Sequence, residues 1–344
     1  MKRRGYLTGL LVAALVFTLM TPAIGQVITL RLADQNPPTG WGTTHALQPW
    51  AKKIEEATKN RVKIDIYSSQ TLCKGPDTWN AVKTSIADIG WCFHGYWTDM
   101  TPVYDVVTLP GLPQRTAEKG SETAWRLYER YPMLQREFKD VKPLVLYTSP
   151  PRFIITTKKQ VKTLEDMKGL KIRISGGPPT EQMKALKATP VLMTMADIYQ
   201  SLDKGVIDGT DTSWEAISAY RFYEVVKYYT IASLASTSFS LVMNKQRWDS
   251  LPKDIQDVFT SNSGLEASKF FGRNYYDTVE PSAKEQIKKS GHEMNLYTLP
   301  AAELERWAKL SGEPIWKEWV KKLERRGVPE AQKILDTTIE MLKK

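Results

Sequence analysis

The sequence predicts an α/β chain of two lobes built on open, parallel-type sheets. Three observations carry this. Short apolar strands alternate with amphipathic helical stretches over most of the length. Breakers rich in Gly and Pro punctuate them, the strongest being Gly176-Gly177-Pro178-Pro179. The 344 residues suffice for two domains, each with its own core.

Taken in order, the chain opens on Lys2-Arg3-Arg4, a short apolar run from Leu7 to Met20, and small residues at Ala23-Ile24-Gly25. This is the pattern of a cleaved leader, residues 1-25, with cleavage before Gln26. An uncleaved anchor is the alternative, but the run is short for a membrane span. Losing the leader removes three positive charges and lowers the net charge from +10 to +7. No other long apolar run follows, so the mature chain is expected to be soluble.

Ile28 to Asp34 and Val62 to Tyr67 alternate as strands, with an amphipathic helix from Thr44 to Thr58 between them. A helix is predicted over Asp77 to Ile86, a strand over Ala87 to Trp91, then an aromatic-rich loop. Ala117 to Lys139 is helical, with a break near Pro132, and Val141 to Thr148 is a strand. Ser149-Pro150-Pro151 reads as a crossover into the second lobe, whose first strand is Arg152 to Thr157. Lys171 to Ser175 stops at the Gly-Gly-Pro-Pro breaker. Thr180 then opens a helix with Glu181 in its first turn, where a carboxylate suits the helix dipole. Thr189 to Met193 is a strand and Met195 to Asp203 a helix capped near Gly205. Gly205 to Gly209 leads into a strand or turn, and Trp214 to Tyr229 reads as one helix. A strand near Ala235 to Val242 returns to the first lobe. Lys253 to Lys289 is a long helical stretch in which Pro281 imposes a kink or break. Ala301 to Gly327 gives two amphipathic helices carrying Trp307, Trp316 and Trp319 as packing anchors.

Several functions are disfavoured. Lysines and arginines are interspersed with acids, and a leader argues against nucleic-acid binding. There is no Gly-x-Ser-x-Gly elbow, His-Glu-x-x-His, Walker loop or GxGxxG. His45, His94 and His292 have no predicted acid or nucleophile partner, and no metal spacing is present. Cys73 and Cys92 each follow a predicted strand, where they can lie side by side. An oxidising compartment favours a Cys73–Cys92 disulfide; two unpaired small buried residues are the alternative.

In open α/β sheets, ligands sit at the carboxyl ends of strands. That rule puts Trp91 to Trp97, Arg152, Arg173 to Gly177 and Thr212 to Glu215 on a cleft. Arg173 ends a strand, and its planar fork can hold a carboxylate with two parallel hydrogen bonds; an ion pair with Glu181 is the other reading. Trp91, Phe93, His94, Tyr96 and Trp97 can form an apolar wall with His94 or Tyr96 offering a hydrogen bond, or can be core. Trp214 is either a ligand contact or a packed helix residue.

Five phrases, in order, resemble the dicarboxylate-binding DctP family of TRAP-transporter solute-binding proteins. They are "ADIGWCFHGYW", "VVTLPGLP", "KTLEDMKGLKIR", "TPVLMTMADIYQSLDKGVIDG" and "RFYEVVKYYT". The resemblance runs from about Thr29 to the last helices. It implies a two-lobed periplasmic binding protein fold, with a cleft between lobes and a long lobe-spanning helix. The lobes are expected at 26-149 plus 238-278 and at 150-237 plus 279-310, with 311-344 packing across both. It implies a receptor for a small organic acid, a membrane permease as partner, no cofactor and no catalysis. It assigns Arg173 the clamp on the substrate carboxylate and Arg152 a second place beside the ligand. Thr212 stands where the family often has asparagine. Trp214-Glu215 resembles, in reversed order, a pair in the branch that binds 2-oxo monocarboxylates through a cation, but the acid expected near Ser238 is missing. No metal is therefore expected. Phe153-Ile154-Ile155 is too apolar for a polyhydroxylated sugar acid. The run after Trp91, Cys92-Phe93-His94-Gly95-Tyr96-Trp97, holds no third arginine or lysine, so a 2-oxo, 2-hydroxy or aromatic monocarboxylate is expected over a C4-dicarboxylate. A secreted enzyme and an extracytoplasmic sensor are the readings from other classes.

Overall fold

The computed structural model describes residues 27–344. The expected leader and its cleavage point lie outside the described residues. The strands are β1 Ile28–Ala33, β2 Val62–Tyr67, β3 Ile89–Phe93, β4 Val141–Thr148, β5 Arg152–Thr156, β6 Lys171–Ile174, β7 Thr189–Leu192, β8 Gly209–Thr212, β9 Tyr228–Leu234, β10 Ser238–Asn244 and β11 Asn295–Thr298. They form two sheets, ordered β2-β1-β3-β10-β4 and β11-β9-β5-β8-β6-β7.

Each sheet is covered on both faces, as the near-continuous apolar strands require. Side chains alternate across a strand, so Trp91 and Phe93 enter one core of the first sheet while Cys92 enters the other. Phe153 and Ile155 likewise face one core of the second sheet, and Ile154, Ile172 and Ile174 the other.

Both sheets are mixed rather than parallel. β10 runs antiparallel to β3 and β4, and β5 antiparallel to β8 and β9. The reason is the chain path. β4 continues through Ser149-Pro150-Pro151 into β5, and β9 continues through Ala235 to Thr237 into β10. Each chain therefore serves both sheets, and the two paths lie side by side as an antiparallel ribbon. Ser149 N–H donates to the Thr237 carbonyl at 2.9 Å, and Thr237 N–H to Ser149 Oγ at 3.0 Å.

A third crossing is helical and starts later than expected. Lys253–Ser261 is a separate helix. The crossing runs from Gly264–Phe271 through a wide turn at Gly272–Asp277 to Glu280–Ser290, with Pro281 in the first turn of that last helix. Its first part packs on β4 and its last on the helix Trp214–Ala219.

Three further expectations are corrected. The helix expected over Trp214 to Tyr229 stops at Ala219, because Arg221 adopts a left-handed conformation with φ 57°; the β-favouring Tyr228–Leu234 then forms β9. The strand β11 was not read from the sequence, and the last helix, Ala331–Lys343, was expected only within the C-terminal helices of 311-344, without bounds of its own. The Cys73–Cys92 disulfide is not formed. Both are free thiols: Cys92 lies in the core, and half-buried Cys73 turns its Sγ toward Thr78 Oγ1 at 3.8 Å.

Candidate functional site

Of the regions that open between the sheets, one of about 760 Å³ lies between Pro178–Ala185 and Glu313–Arg325. Most of its charged residues are partners in ion pairs, such as Lys184 with Glu181 and Lys322 with Asp99; the exception is Asp105, whose carboxyl burial pushes up. A narrower cavity between the lobes holds both predicted arginines, and its chemistry singles it out.

Arg173 is the penultimate residue of β6 and is 2% exposed. Nε and Nη2 donate to the Met193 carbonyl at 3.0 and 2.8 Å. These bonds lock the guanidinium in place, and Nη1 has no acceptor among the described residues. The alternative reading, an ion pair with Glu181, is not realised; Glu181 pairs with Lys184.

Arg152 starts β5. In the register of β5 and β8, Ile154 faces Asp211, so Arg152 and Asp211 are diagonal neighbours on one face. Arg152 Nε donates to the Ala235 carbonyl at 3.0 Å, and Nη2 lies 2.6 Å from Asp211 Oδ2. The contact is poorly directed: Nη2 and both Asp211 oxygens lack a well-aligned hydrogen bond. Burial pushes the Asp211 carboxyl up, and the Arg152 and Arg173 charges oppose this. With a guanidinium at contact distance the carboxylate form holds, so the pair is ionic and internally neutral.

Ser213 caps the helix Trp214–Ala219, its Oγ accepting from Ala216 N–H at 3.4 Å. This turn sets Thr212, Ser213 and Glu215 on the cavity and rotates Trp214 away. Trp214 is therefore a packing residue, against the expectation of a ligand contact. It lies 4.9 Å from Phe153 and stacks at 5.8 Å on Tyr229. Glu215 is 3% exposed and its Oε1 has no hydrogen-bond partner among the described residues. Burial raises its carboxyl to about 8, against the pull of the Gly42 N–H and with added repulsion from Asp34. Asp34 itself is raised to about 7 by burial, although Asn36 donates to its Oδ1 through N–H and Nδ2, at 3.1 and 2.7 Å.

The first lobe supplies an aromatic wall. Trp91 and Phe93 line the cavity with Phe239, whose ring centroid is 5.1 Å from Trp91 and 5.0 Å from Phe93. His94 does not join them, which corrects the expectation. It is 1% exposed in the opposite core, bonded through Nδ1 to Thr101 Oγ1 and through Nε2 to Ser240 Oγ. Burial lowers its pKa to about 3, so it stays neutral. Tyr96 works at the cavity edge. Its hydroxyl donates to Gln35 Oε1 at 3.0 Å and accepts from Met195 N–H, in the other lobe, at 3.1 Å. Tyr220 OH crosses the cleft the opposite way, to Asn36 Oδ1 at 3.1 Å. The lobes approach closely at Gly176, where a Cβ would meet the Gly95 carbonyl at 2.5 Å.

Sequence reasoning missed Asp211, Tyr220, Tyr276 and Phe239. Asp211 had a signal: a lone acid inside a four-residue buried strand, beside a stretch already placed on the cleft.

Two sheets joined by a ribbon thus hold two fixed arginines between them. The family model for the bacterial extracellular solute-binding proteins, family 7, named DctP, matches residues 35–323. The chain belongs to that family. Among solved structures, a TRAP solute-binding protein of Rhodoferax ferrireducens, in complex with copurified benzoate, superposes with a TM-score of 0.87 at 26% identity, covering 92% of this chain and 98% of that one. A TRAP periplasmic solute-binding protein of Bordetella bronchiseptica, with bound (R)- and (S)-mandelate, gives 0.84 at 26% identity, covering 92% and 99%. Among curated relatives, a Comamonas testosteroni protein named outer membrane transporter protein TsaT is 28% identical over 340 residues, 97% of this chain and 96% of its own. This DctP-family protein is thus a TRAP solute receptor for an organic acid, with the two-lobed fold of its relatives. No helix among the described residues is long and apolar enough to cross a membrane.

Proposed function

We propose that this receptor selects a monocarboxylate, aromatic acids foremost, and hands it to a membrane permease without a chemical step. The observation that carries the selectivity is the Arg152–Asp211 pair. It spends one of the two cavity cations inside the protein, leaving Arg173 as the single uncompensated charge. One carboxylate then balances the cavity. A second would be buried beside Asp211 and Glu215 with no cation of its own, which is costly. The aromatic wall of Trp91, Phe93 and Phe239 offers the rest of the ligand about 25 cal/mol per Å² of apolar area removed from water. The ligands of the benzoate and mandelate complexes support the same reading.

In this reading Arg173 Nη1 binds the carboxylate, Arg152 Nη2 takes its second oxygen or an adjacent oxo or hydroxyl group, and Thr212 hydrogen-bonds beside them. Residues 26-149 with 238-278 and 150-237 with 279-310 move as the two lobes, and 311-344 spans them. The mature chain starts at Gln26 and works in the periplasm. A competition series at fixed pH tests selectivity: benzoate, mandelate and pyruvate are expected to displace a bound reporter acid better than succinate or malate. Succinate outcompeting every monoacid of similar size would overturn the reading in favour of a C4-dicarboxylate. Turnover of any bound acid would overturn the absence of catalysis.

A further inference from the structure

We propose that Glu215 reads a hydroxyl group on the ligand, remote from its carboxylate, so that hydroxy-substituted monoacids are the preferred solutes. This rests on the monocarboxylate reading and adds the group expected at the ligand's other end.

The site is built rather than incidental. Glu215 lines the same cavity as Arg173, and its Oε1 is buried without a partner. An unmade hydrogen bond at a buried acid is costly, so the cavity is incomplete at that atom until a ligand supplies the group. Glu215 and Arg173 are also held by different lobes. Glu215 accepts from the Gly42 N–H of the first lobe, whereas Arg173 is fixed on the Met193 carbonyl of the second.

Charge selects the kind of group. Arg152 with Asp211, and Arg173 with the ligand carboxylate, already sum to zero. An ammonium at Glu215 would need that acid ionised against its burial, and a second carboxylate would meet two acids, Glu215 and Asp34. A hydroxyl both donates and accepts, so it pairs with Glu215 whether or not the acid holds its proton. The rival arrangement is a proton shared between Glu215 and Asp34 Oδ2, which is also unpartnered. That would leave nothing for a ligand to satisfy.

Calorimetry on the mature protein separates the two. The ligand pairs are 3-hydroxybenzoate with benzoate and 3-hydroxyphenylacetate with phenylacetate, with 3-methylbenzoate as the apolar control. In the wild type the hydroxy acids are expected to bind about tenfold or more tighter than their parents, the scale of one buried hydrogen bond to an acid. That ratio is expected to survive Glu215→Gln, which can still donate and accept, and to collapse to about threefold or less in Glu215→Leu, or in Glu215→Met should the leucine variant not fold. Parity between hydroxy and parent acids in the wild type overturns the proposal, as does a ratio that persists in the apolar variant. Tight benzoate binding with no hydroxyl preference removes only this assignment. If no monoacid binds while succinate does, the monocarboxylate reading falls as well.

Discussion

Arg152 and Asp211 face each other diagonally across β5 and β8, with Nη2 and Oδ2 2.6 Å apart and both side chains out of contact with solvent. A buried ion pair is an uncertain source of stability, because desolvation offsets attraction. Its clearer effect is on the count of free charge. Two arginines converge on the cleft, yet only one remains unbalanced.

Asp211→Asn should therefore change selectivity rather than fold. The amide is nearly isosteric and frees the Arg152 charge. Succinate is expected to gain at least about tenfold relative to benzoate, the scale of an added buried charge pair. An unchanged ratio in calorimetry, with the variant folded by circular dichroism, would show that Asp211 does not set the charge balance.

Arg173→Lys keeps the charge and loses the fork. The ammonium cannot hold the Met193 carbonyl through two N–H groups while presenting a third to the ligand. Binding of the preferred monoacid is expected to weaken by about 2–4 kcal/mol, with the fold retained. Affinity within about threefold of wild type would remove Arg173 from the clamp.

Glu215 makes stability depend on pH in a defined direction. Its carboxyl is near 4.5 when unfolded and about 8 when folded. Between these values the folded chain keeps a proton the unfolded chain has lost, so stability falls as pH rises through the window. Asp34 acts the same way from 3.8 to about 7. His94 acts oppositely, costing stability as pH falls below 6.5. Glu215→Gln removes the first contribution. The gap in melting temperature between variant and wild type, without ligand, is expected to widen in favour of glutamine between about pH 5 and pH 8. A gap that stays constant would show that Glu215 ionises as freely in the folded chain as in the unfolded one.

The cysteines offer a simple check. Protein recovered from the periplasm, denatured without reductant, is expected to titrate two thiols. No reactive thiol would restore the Cys73–Cys92 bond that secretion and strand position had suggested.

Arg173 was legible because the phrase around it is distinctive and because it lies near the end of a strand, just before a strong breaker. Asp211 was not, because its partnership with Arg152 depends on the β5–β8 register, and register is set by sheet pairing rather than by either segment alone. The aromatic run at Trp91 shows how alternation resolves what composition leaves open. Trp91 and Phe93 share the cavity face, while His94, in the turn after β3, swings to Ser240 in the other core. Trp214 and Glu215 differ by one position on a short helix, enough to send one to the core and the other to the cavity. Tyr276 comes from the third crossing, more than a hundred residues from Arg173, and no local pattern could bring it in. The fold class was readable for the opposite reason: strand and helix periods are local. The antiparallel strands were missed because they follow from the chain passing twice between the sheets.

That double passage has a mechanical consequence. The ribbon is two strands wide and stitched at Ser149 and Thr237, so sliding or independent twisting of the lobes would break those stitches, whereas bending across the ribbon would not. The softest coordinate is then a single angle, like that of a door on its pin. With Arg173 already locked on Met193, capture does not wait for the clamp to assemble. Under the proposed function, occupancy would be converted into one geometric quantity, and the membrane permease proposed as partner would need to sense only whether the door is shut.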